Sequence, residues 1–289
     1  MAATKNIARL HARDGDEPID HDRRQLFGAA AALVAPSLPR WVSSAHAQTS
    51  PSRSFGPLKR INAGTLNIEY AEVGRADGSV AILLHGWHYD IHAFLDVAPV
   101  LVQAGYRVIV PYLRGYGGTR FLSAVTPRNG QQSVVAVDLI AMMDALGIRE
   151  AVVAGFDWGA RTANIVAALW PKRCKALVSV SGYLIGNQQA GKAPLPPSAE
   201  LQWWYQYYFA TERGRAGYEK YRREFAKLIW QLASPKWIFD DATFDRTAAA
   251  FDNPDHVAIV IHNYRWRLGL AQGEAKYDES WSGDSPARR

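Results

Sequence analysis

Leu58 to Asn62 and Thr65 to Val73 alternate apolar and polar residues on either side of Gly64, and this period of two predicts an antiparallel hairpin. Beyond it the pattern changes. Val80 to Leu84 is a continuous apolar run, and Arg107 to Val110 reads as the next buried strand. Between them, Phe94 to Ala104 has helical spacing and stops at Gly105. Ser133 to Leu146 reads as an amphipathic helix closed by Gly147. Ala151-Val152-Val153-Ala154 predicts a further strand, Ala160 to Leu169 a helix ended by Pro171, and Lys175 to Val180 another strand. Strands alternating with helices after an opening hairpin predict the α/β class, a mostly parallel sheet with helices on both faces.

From Tyr183 to about Ala275 the pattern turns to long aromatic-rich stretches, Trp203 to Phe209, Tyr218 to Leu232 and Val257 to Leu268, entered through Pro194-Leu195-Pro196-Pro197. At the other end, Arg23-Arg24 precedes the apolar run Leu26 to Ala35 and then Ala45-His46-Ala47. That order resembles a twin-arginine export signal cleaved after Ala47, and the run is too short to span a bilayer. The expected location is the periplasm. The lone Cys174 allows no intrachain disulfide there and reads as core filler. With 289 residues, 48% of them apolar, the chain can bury a substantial core. Its formal charge of +6 is spread among acidic residues rather than gathered on one face, which argues against nucleic acid as a partner.

The chemistry centres on Gly155-Phe156-Asp157-Trp158-Gly159, which follows an apolar strand and opens a helix. Strand, tight turn and helix in this order match a nucleophile elbow carrying aspartate in place of serine. Glycine at both ends suits the strained turn. A carboxylate nucleophile attacks an electrophilic sp3 carbon and leaves an alkyl-enzyme ester for water to cleave. The expected partner is therefore a small electrophile, an epoxide or an organohalide.

The opening hairpin, His85-Gly86-Trp87, Arg114-Gly115-Tyr116-Gly117 and the Asp157 elbow together resemble the α/β-hydrolase fold in its branch of epoxide hydrolases and haloalkane dehalogenases, over about residues 55 to 275. The resemblance implies a core over residues 48–182, an inserted helical cap over 183–275 and a short aberrant tail over 276–289, with the last core strands and helix absent. It implies Asp157 as the catalytic nucleophile and two cap tyrosines as donors to the epoxide oxygen. Tyr205, in Tyr205-Gln206, and Tyr264, in Asn263-Tyr264-Arg265, match those motifs, with Tyr208 the replacement for Tyr205. The backbone N–H groups of Trp87 and Trp158 take the oxyanion-hole positions. Arg161, Tyr208 and His85 are expected around the substrate, and His85 also looks structural, as in the family's His-Gly-X-Pro motif. His88 and Tyr112 depart from the family's usual proline and aspartate, which puts the Trp87 turn in question. No cofactor and no metal are called for.

Two rivals remain. Haloalkane dehalogenases resemble this chain in the tryptophan after the nucleophile, but Trp87 stands where their asparagine would be. Haloacetate dehalogenases use two arginines, of which Arg161 matches the second. Ester hydrolysis also needs a histidine and an acid after the cap, and the chain reaches Arg289 with no room for either strand that would bear them. Ser179-Val180-Ser181-Gly182 supplies no carboxylate, and His256 and His262 read as packing or surface residues. The change of pattern after Tyr277 suggests a frameshift near Glu279, the alternative being a genuine short form with a disordered tail. Impaired turnover, or an inert remnant that holds an apolar ligand, is the corresponding expectation. Exported protein should begin at Gln48, read by N-terminal sequencing of a periplasmic extract. Unprocessed cytoplasmic protein, unchanged when Arg23 and Arg24 are replaced by lysine, would refute the export signal.

Overall fold

The structure, a computed structural model, describes residues 54–182 and 193–278. The export signal, residues 183–192 and the tail beyond Asp278 lie outside the described residues. Seven strands form one sheet: β1 (Lys59–Ala63), β2 (Leu66–Val73), β3 (Ser79–Leu84), β4 (Tyr106–Pro111), β5 (Arg120–Phe121), β6 (Ala151–Phe156) and β7 (Cys174–Val180). The order is β1-β2-β4-β3-β6-β7, with the two-residue β5 added to β2. β1, β2 and β4 pair antiparallel, whereas β4, β3, β6 and β7 run parallel. The continuous apolar runs are these parallel strands, and β3, β4 and β6 are covered by helices as their composition requires, whereas β7 is largely exposed.

Three helices connect them: α1 (Val97–Gln103), α2 (Gln132–Ala145) and α3 (Trp158–Leu169). The chain steps from β3 to β4 in one direction and from β4 to β6 and β7 in the other. Right-handed crossovers therefore put α1 on one face of the sheet and α2 and α3 on the opposite one. The order reverses at β3, and the crevice beyond the carboxyl ends of β3 and β6 is where such a sheet takes a ligand. The α2 helix is not amphipathic in the expected sense, because Ser133 and Asp138 are buried along with its apolar residues. Arg114 is the reason. Its Nε and one terminal nitrogen donate to the two oxygens of Asp138 at 2.6 and 2.7 Å, and its other terminal nitrogen donates to the Asn129 carbonyl at 2.6 Å. Burial raises the Asp138 carboxyl, and the guanidinium beside it opposes that shift.

Beyond β7 the chain turns helical: α4 (Pro197–Gln202), α5 (Trp204–Ala210), α6 (Glu212–Ala233), α7 (Asp241–Ala248), α8 (His256–Arg267) and α9 (Ala275–Asp278). α6 starts six residues ahead of its aromatic stretch because the Thr211 hydroxyl caps it, accepting from the Gly214 N–H at 2.9 Å. Asp240 caps α7 in the same way through the Thr243 N–H. α6 buries Tyr218, Phe225, Ala226, Ile229 and Trp230, which share one face at helical spacing. α8 lies on the core: Asn263 donates to the Gly130 carbonyl at 2.6 Å, and Asn253 just before the helix donates to the Thr119 carbonyl at 2.7 Å. None of these helices is long and apolar enough to cross a membrane.

At the sheet's far end among the described residues, β7 leaves Leu177, Val178 and Val180 39%, 50% and 53% exposed, an apolar edge. At the centre, the chain turns from β6 into α3 through Asp157, whose φ of 51° lies in the left-handed region. The turn is this sharp only because α3 approaches the strands without side chains between. A Cβ on Gly159 would sit 2.0 Å from the Leu84 carbonyl oxygen, and one on Gly155 2.4 Å from the Gly159 carbonyl carbon. Both obstacles are backbone. Gly159→Ala should cost about 1–3 kcal/mol and lower the melting midpoint by roughly 3–10 °C in calorimetry. An unchanged midpoint would mean that β3 yields at Leu84.

Candidate active site

β3 and β6 are neighbours in register, with Leu84 opposite Gly155. The His85-Gly86-Trp87 turn and the Asp157 elbow therefore leave the sheet side by side. A Cβ on Gly86 would lie 2.7 Å from the Asp157 Cβ, so the two turns touch. The Trp87 backbone N–H donates to Asp157 Oδ1 at 3.0 Å. One helical turn along α3, a terminal nitrogen of the buried Arg161 donates to Asp157 Oδ2, also at 3.0 Å. Both carboxylate oxygens are thus held. The Asp157 N–H donates to the Val180 carbonyl of β7 at 3.1 Å. Trp158 is the first residue of α3, and its backbone N–H is among those with no partner inside the helix.

The cap supplies Tyr205 from α5 and Tyr264 from α8, both buried. Their rings meet edge-on at 5.5 Å, and the Trp87 ring lies 4.9 Å from Tyr205 and 4.8 Å from Tyr264. Trp158 is 6.2 Å from Tyr264. Burial, and after it the negative charge of Asp157, pushes the Tyr205 hydroxyl up to about 12. Tyr264 is raised well above its ordinary value, by burial first and then by Tyr205 and Asp157. Both hydroxyls are therefore protonated donors at any ordinary pH. The Arg267 guanidinium lies 5.3 Å from the Tyr264 ring centre and opposes both shifts. Sequence reasoning passed over it, although a cation three residues after Tyr264 on one helix had to lie beside it.

The structure brings together Asp157, Trp87, Trp158, Arg161, Tyr205 and Tyr264. Arg161, expected around the substrate, holds the carboxylate itself. Two expectations need correction. His85, read both as structural and as beside the substrate, keeps only the structural role, with both ring nitrogens on the backbone: Nδ1 faces the Gly86 carbonyl at 3.0 Å and Nε2 accepts from the Leu113 N–H at 3.2 Å. It braces two loops. Tyr208 stacks on Phe225 at 5.9 Å, and its hydroxyl lies against Gly217, so it packs α5 on α6 instead of facing Asp157. The residue at the family's proline position, His88, adopts a left-handed φ of 64° and is buried, so the turn is indeed altered.

The sequence reading named Tyr218 only as the start of an aromatic stretch and His256 only as a packing or surface residue. Tyr218 of α6 is buried with its hydroxyl 3.2 Å from Trp87 Nε1 and 2.9 Å from His256 Nε2. His256 Nδ1 lies 2.9 Å from the Gly115 carbonyl. Burial holds the His256 imidazole down at about 3, so it is neutral. The one available signal was a histidine eight residues before Tyr264, which puts both on nearby faces of α8. His262 accepts from the Gly130 N–H at 3.0 Å and faces the Gln272 carbonyl at 3.0 Å. Among the described residues no group of three or more His, Cys, Asp or Glu side chains is placed to hold a metal ion.

Residues 81–218 match the family model for the alpha/beta hydrolase fold. Epoxide hydrolase 3 of Siraitia grosvenorii is 37% identical over 134 residues, 45% of this chain and 40% of that protein. Epoxide hydrolase B of Mycobacterium tuberculosis is 30% identical over 149 residues, 47% of this chain and 41% of that one. The matched stretch thus spans about two fifths of these curated relatives' length. Among solved structures, a candidate epoxide hydrolase from Klebsiella pneumoniae is 66% identical, with a TM-score of 0.77, and the match covers 78% of this chain and 75% of that one. A second from Pseudomonas aeruginosa, 22% identical with a TM-score of 0.65 over 74% of this chain and 70% of that one, shares the fold. An aspartate elbow at the switch point of this sheet, the helices beyond β7 that carry Tyr205 and Tyr264, and a 66%-identical relative lead to one assignment: the chain belongs to the α/β-hydrolase family, among its epoxide-hydrolase-like members.

Proposed function

We propose that Asp157 opens an epoxide by forming an alkyl-enzyme ester. A carboxylate oxygen bonds to a ring carbon, the C–O bond of the ring breaks, and its electron pair goes to the epoxide oxygen, which takes a proton from Tyr205 or Tyr264. Charge develops on that oxygen in the transition state, where fixed donors act most strongly. In the second half, water attacks the ester carbonyl carbon, and the N–H groups of Trp87 and Trp158 receive the oxyanion as the diol leaves. The observation that carries this reading is a pair of buried, protonated tyrosine hydroxyls in the same aromatic cluster as Trp87, which holds the carboxylate. The epoxide hydrolases among the relatives support it. The same proposal places the protein in the periplasm, resting on Arg23-Arg24 and Ala45-His46-Ala47.

A second reading, haloacid dehalogenase, is favoured by Arg161 on Asp157 Oδ2, a guanidinium suited to a substrate carboxylate. A third, a ligand-holding remnant without turnover, follows from the second half-reaction. Attack by water needs a positioned base, worth about a hundredfold to ten-thousandfold. Among the described residues, His85, His256 and His262 have both ring nitrogens in hydrogen bonds within the protein, and His92 is paired with Asp90. His88 Nε2 has no partner among the described residues, but burial holds its imidazole well below its ordinary value, which makes it a weak base.

An epoxide should therefore leave one long-lived adduct per chain, seen by intact mass and absent in Asp157→Asn. The Tyr205→Phe, Tyr264→Phe double variant should form it at least about tenfold more slowly. Equal rates in the double variant, or adduct from a haloacid and none from an epoxide, would move the assignment to a dehalogenase. Sustained multiple turnover would overturn the stalled second half. Alkylation should also stay level past pH 10 and fall only toward pH 12, since Tyr205 is raised to about 12. Above the ordinary tyrosine value the unfolded chain loses this proton while the folded one keeps it, so the Tyr205 contribution to stability is whole below pH 10 and is lost as pH rises toward 12. An alkaline limb already present near pH 9 would contradict it.

A further inference from the structure

Trp87, Tyr218 and His256 form one buried line of hydrogen bonds from the core into the cap and back. Its protons have a single consistent arrangement. An indole N–H only donates, so the Tyr218 oxygen accepts from Trp87 Nε1. A backbone carbonyl only accepts, so His256 Nδ1 carries the proton that faces Gly115. The neutral ring then has Nε2 as an acceptor, and the Tyr218 O–H donates to it. Arg222 and Asp252 act on His256 with opposite signs, and His85 acts in the same direction as Arg222. Burial outweighs them and keeps the ring neutral.

The line meets the backbone at a strained place. His88 has a left-handed φ, a conformation that a non-glycine residue keeps only when its surroundings impose it. Two cap side chains bond on either side of it. Tyr218 holds the Trp87 indole on one side, and Trp230 Nε1 donates to the His88 carbonyl at 2.8 Å on the other. The peptide between these anchors follows directly on the N–H that meets Asp157 Oδ1. Removing one member leaves a buried donor and a buried acceptor unpaired, which makes the line cooperative.

We propose that Tyr218 and His256 are positioning residues for the nucleophile: they fix the Trp87 turn, and through it the N–H that first orients Asp157 Oδ1 and then receives the ester oxyanion, so that the cap helices are registered on the reacting carboxylate. The proposal rests on the reading of Asp157 as the nucleophile. It involves no proton transfer along the line.

The test uses the full chain. Tyr218→Phe keeps the ring and removes the hydroxyl. Single-turnover alkylation of Asp157 by an epoxide, followed by intact mass, should slow by roughly tenfold at saturation with the half-saturating concentration unchanged. His256→Gln, whose carboxamide offers one donor and one acceptor, should keep most of the rate, whereas His256→Phe should lose as much as Tyr218→Phe. Wild-type rates in Tyr218→Phe, or equal losses in the Gln and Phe variants, would reduce both residues to packing and overturn the proposal. Nitrogen-15 shifts of His256 should show Nδ1 protonated and Nε2 bare, and a protonated Nε2 would overturn it directly. If the wild type forms no adduct, the nucleophile reading falls separately. The Trp87 backbone amide resonance then decides the line: it moves in Tyr218→Phe if the line holds the turn, and an unmoved resonance would sink the proposal.

Discussion

One hydrogen bond crosses from the end of one strand to the end of its neighbour, and the site is arranged around it. The Trp87 N–H reaches Asp157 Oδ1 because β3 and β6 run parallel in register and both turn away from the sheet at its switch point. That proximity depends on the absence of side chains at Gly86, Gly155 and Gly159, where the two turns and α3 pass at backbone contact. A parallel sheet with a reversal of order offers such a crevice to any ligand. The bare backbone of these three positions lets a carboxylate be held there by a main-chain donor, with Arg161 on its other oxygen.

The cap is joined to this centre mostly through core backbone. Asn253, His256 and Asn263 all meet carbonyls of core loops, and Trp230 meets that of His88. These contacts fix α8, and with it Tyr264, relative to the sheet that carries Asp157. Tyr205 arrives on a different helix, α5, and reaches the same place through the Trp87 ring. An aromatic cluster spanning core and cap therefore buries the tyrosine hydroxyls, which keeps them protonated, while the Asp157 side chain beside it stays 30% exposed.

Much of this was legible in the chain. The parallel strands announce themselves as apolar runs, and the elbow by its glycines, because burial and close approach leave marks on composition. The two-residue β5 was invisible, being too short to carry a period. The start of α6 was misplaced because the aromatic pattern begins after its Thr211 cap. Side-chain direction was the larger gap. His85 and Tyr208 occupy positions that resemble site residues yet point to backbone and to Phe225. Tyr218 has the spacing of an ordinary packing residue on an amphipathic helix, and its partner Trp87 is 131 residues away, so nothing local distinguishes it. Motif order locates the Asp157 elbow; it does not show which distant hydroxyl meets the Trp87 indole.

The way α8 is seated also sets which substitutions each side of the joint can absorb. Asn263 and His256 read main-chain carbonyls, which every residue type possesses, so the core loops at Gly115 and Gly130 supply their half of the bond whatever their side chains. What those loops cannot tolerate is bulk, since a Cβ on Gly130 would meet the Ile259 carbonyl at 2.5 Å and one on Gly115 the Ile259 side chain at 3.1 Å. The demands on the two surfaces are therefore of different kinds, emptiness on the core and chemical identity on the cap. In a library of random variants, tolerated changes should spread across the core loops wherever there is room, while at Asn253, His256 and Asn263 they should narrow to side chains that can still donate a proton.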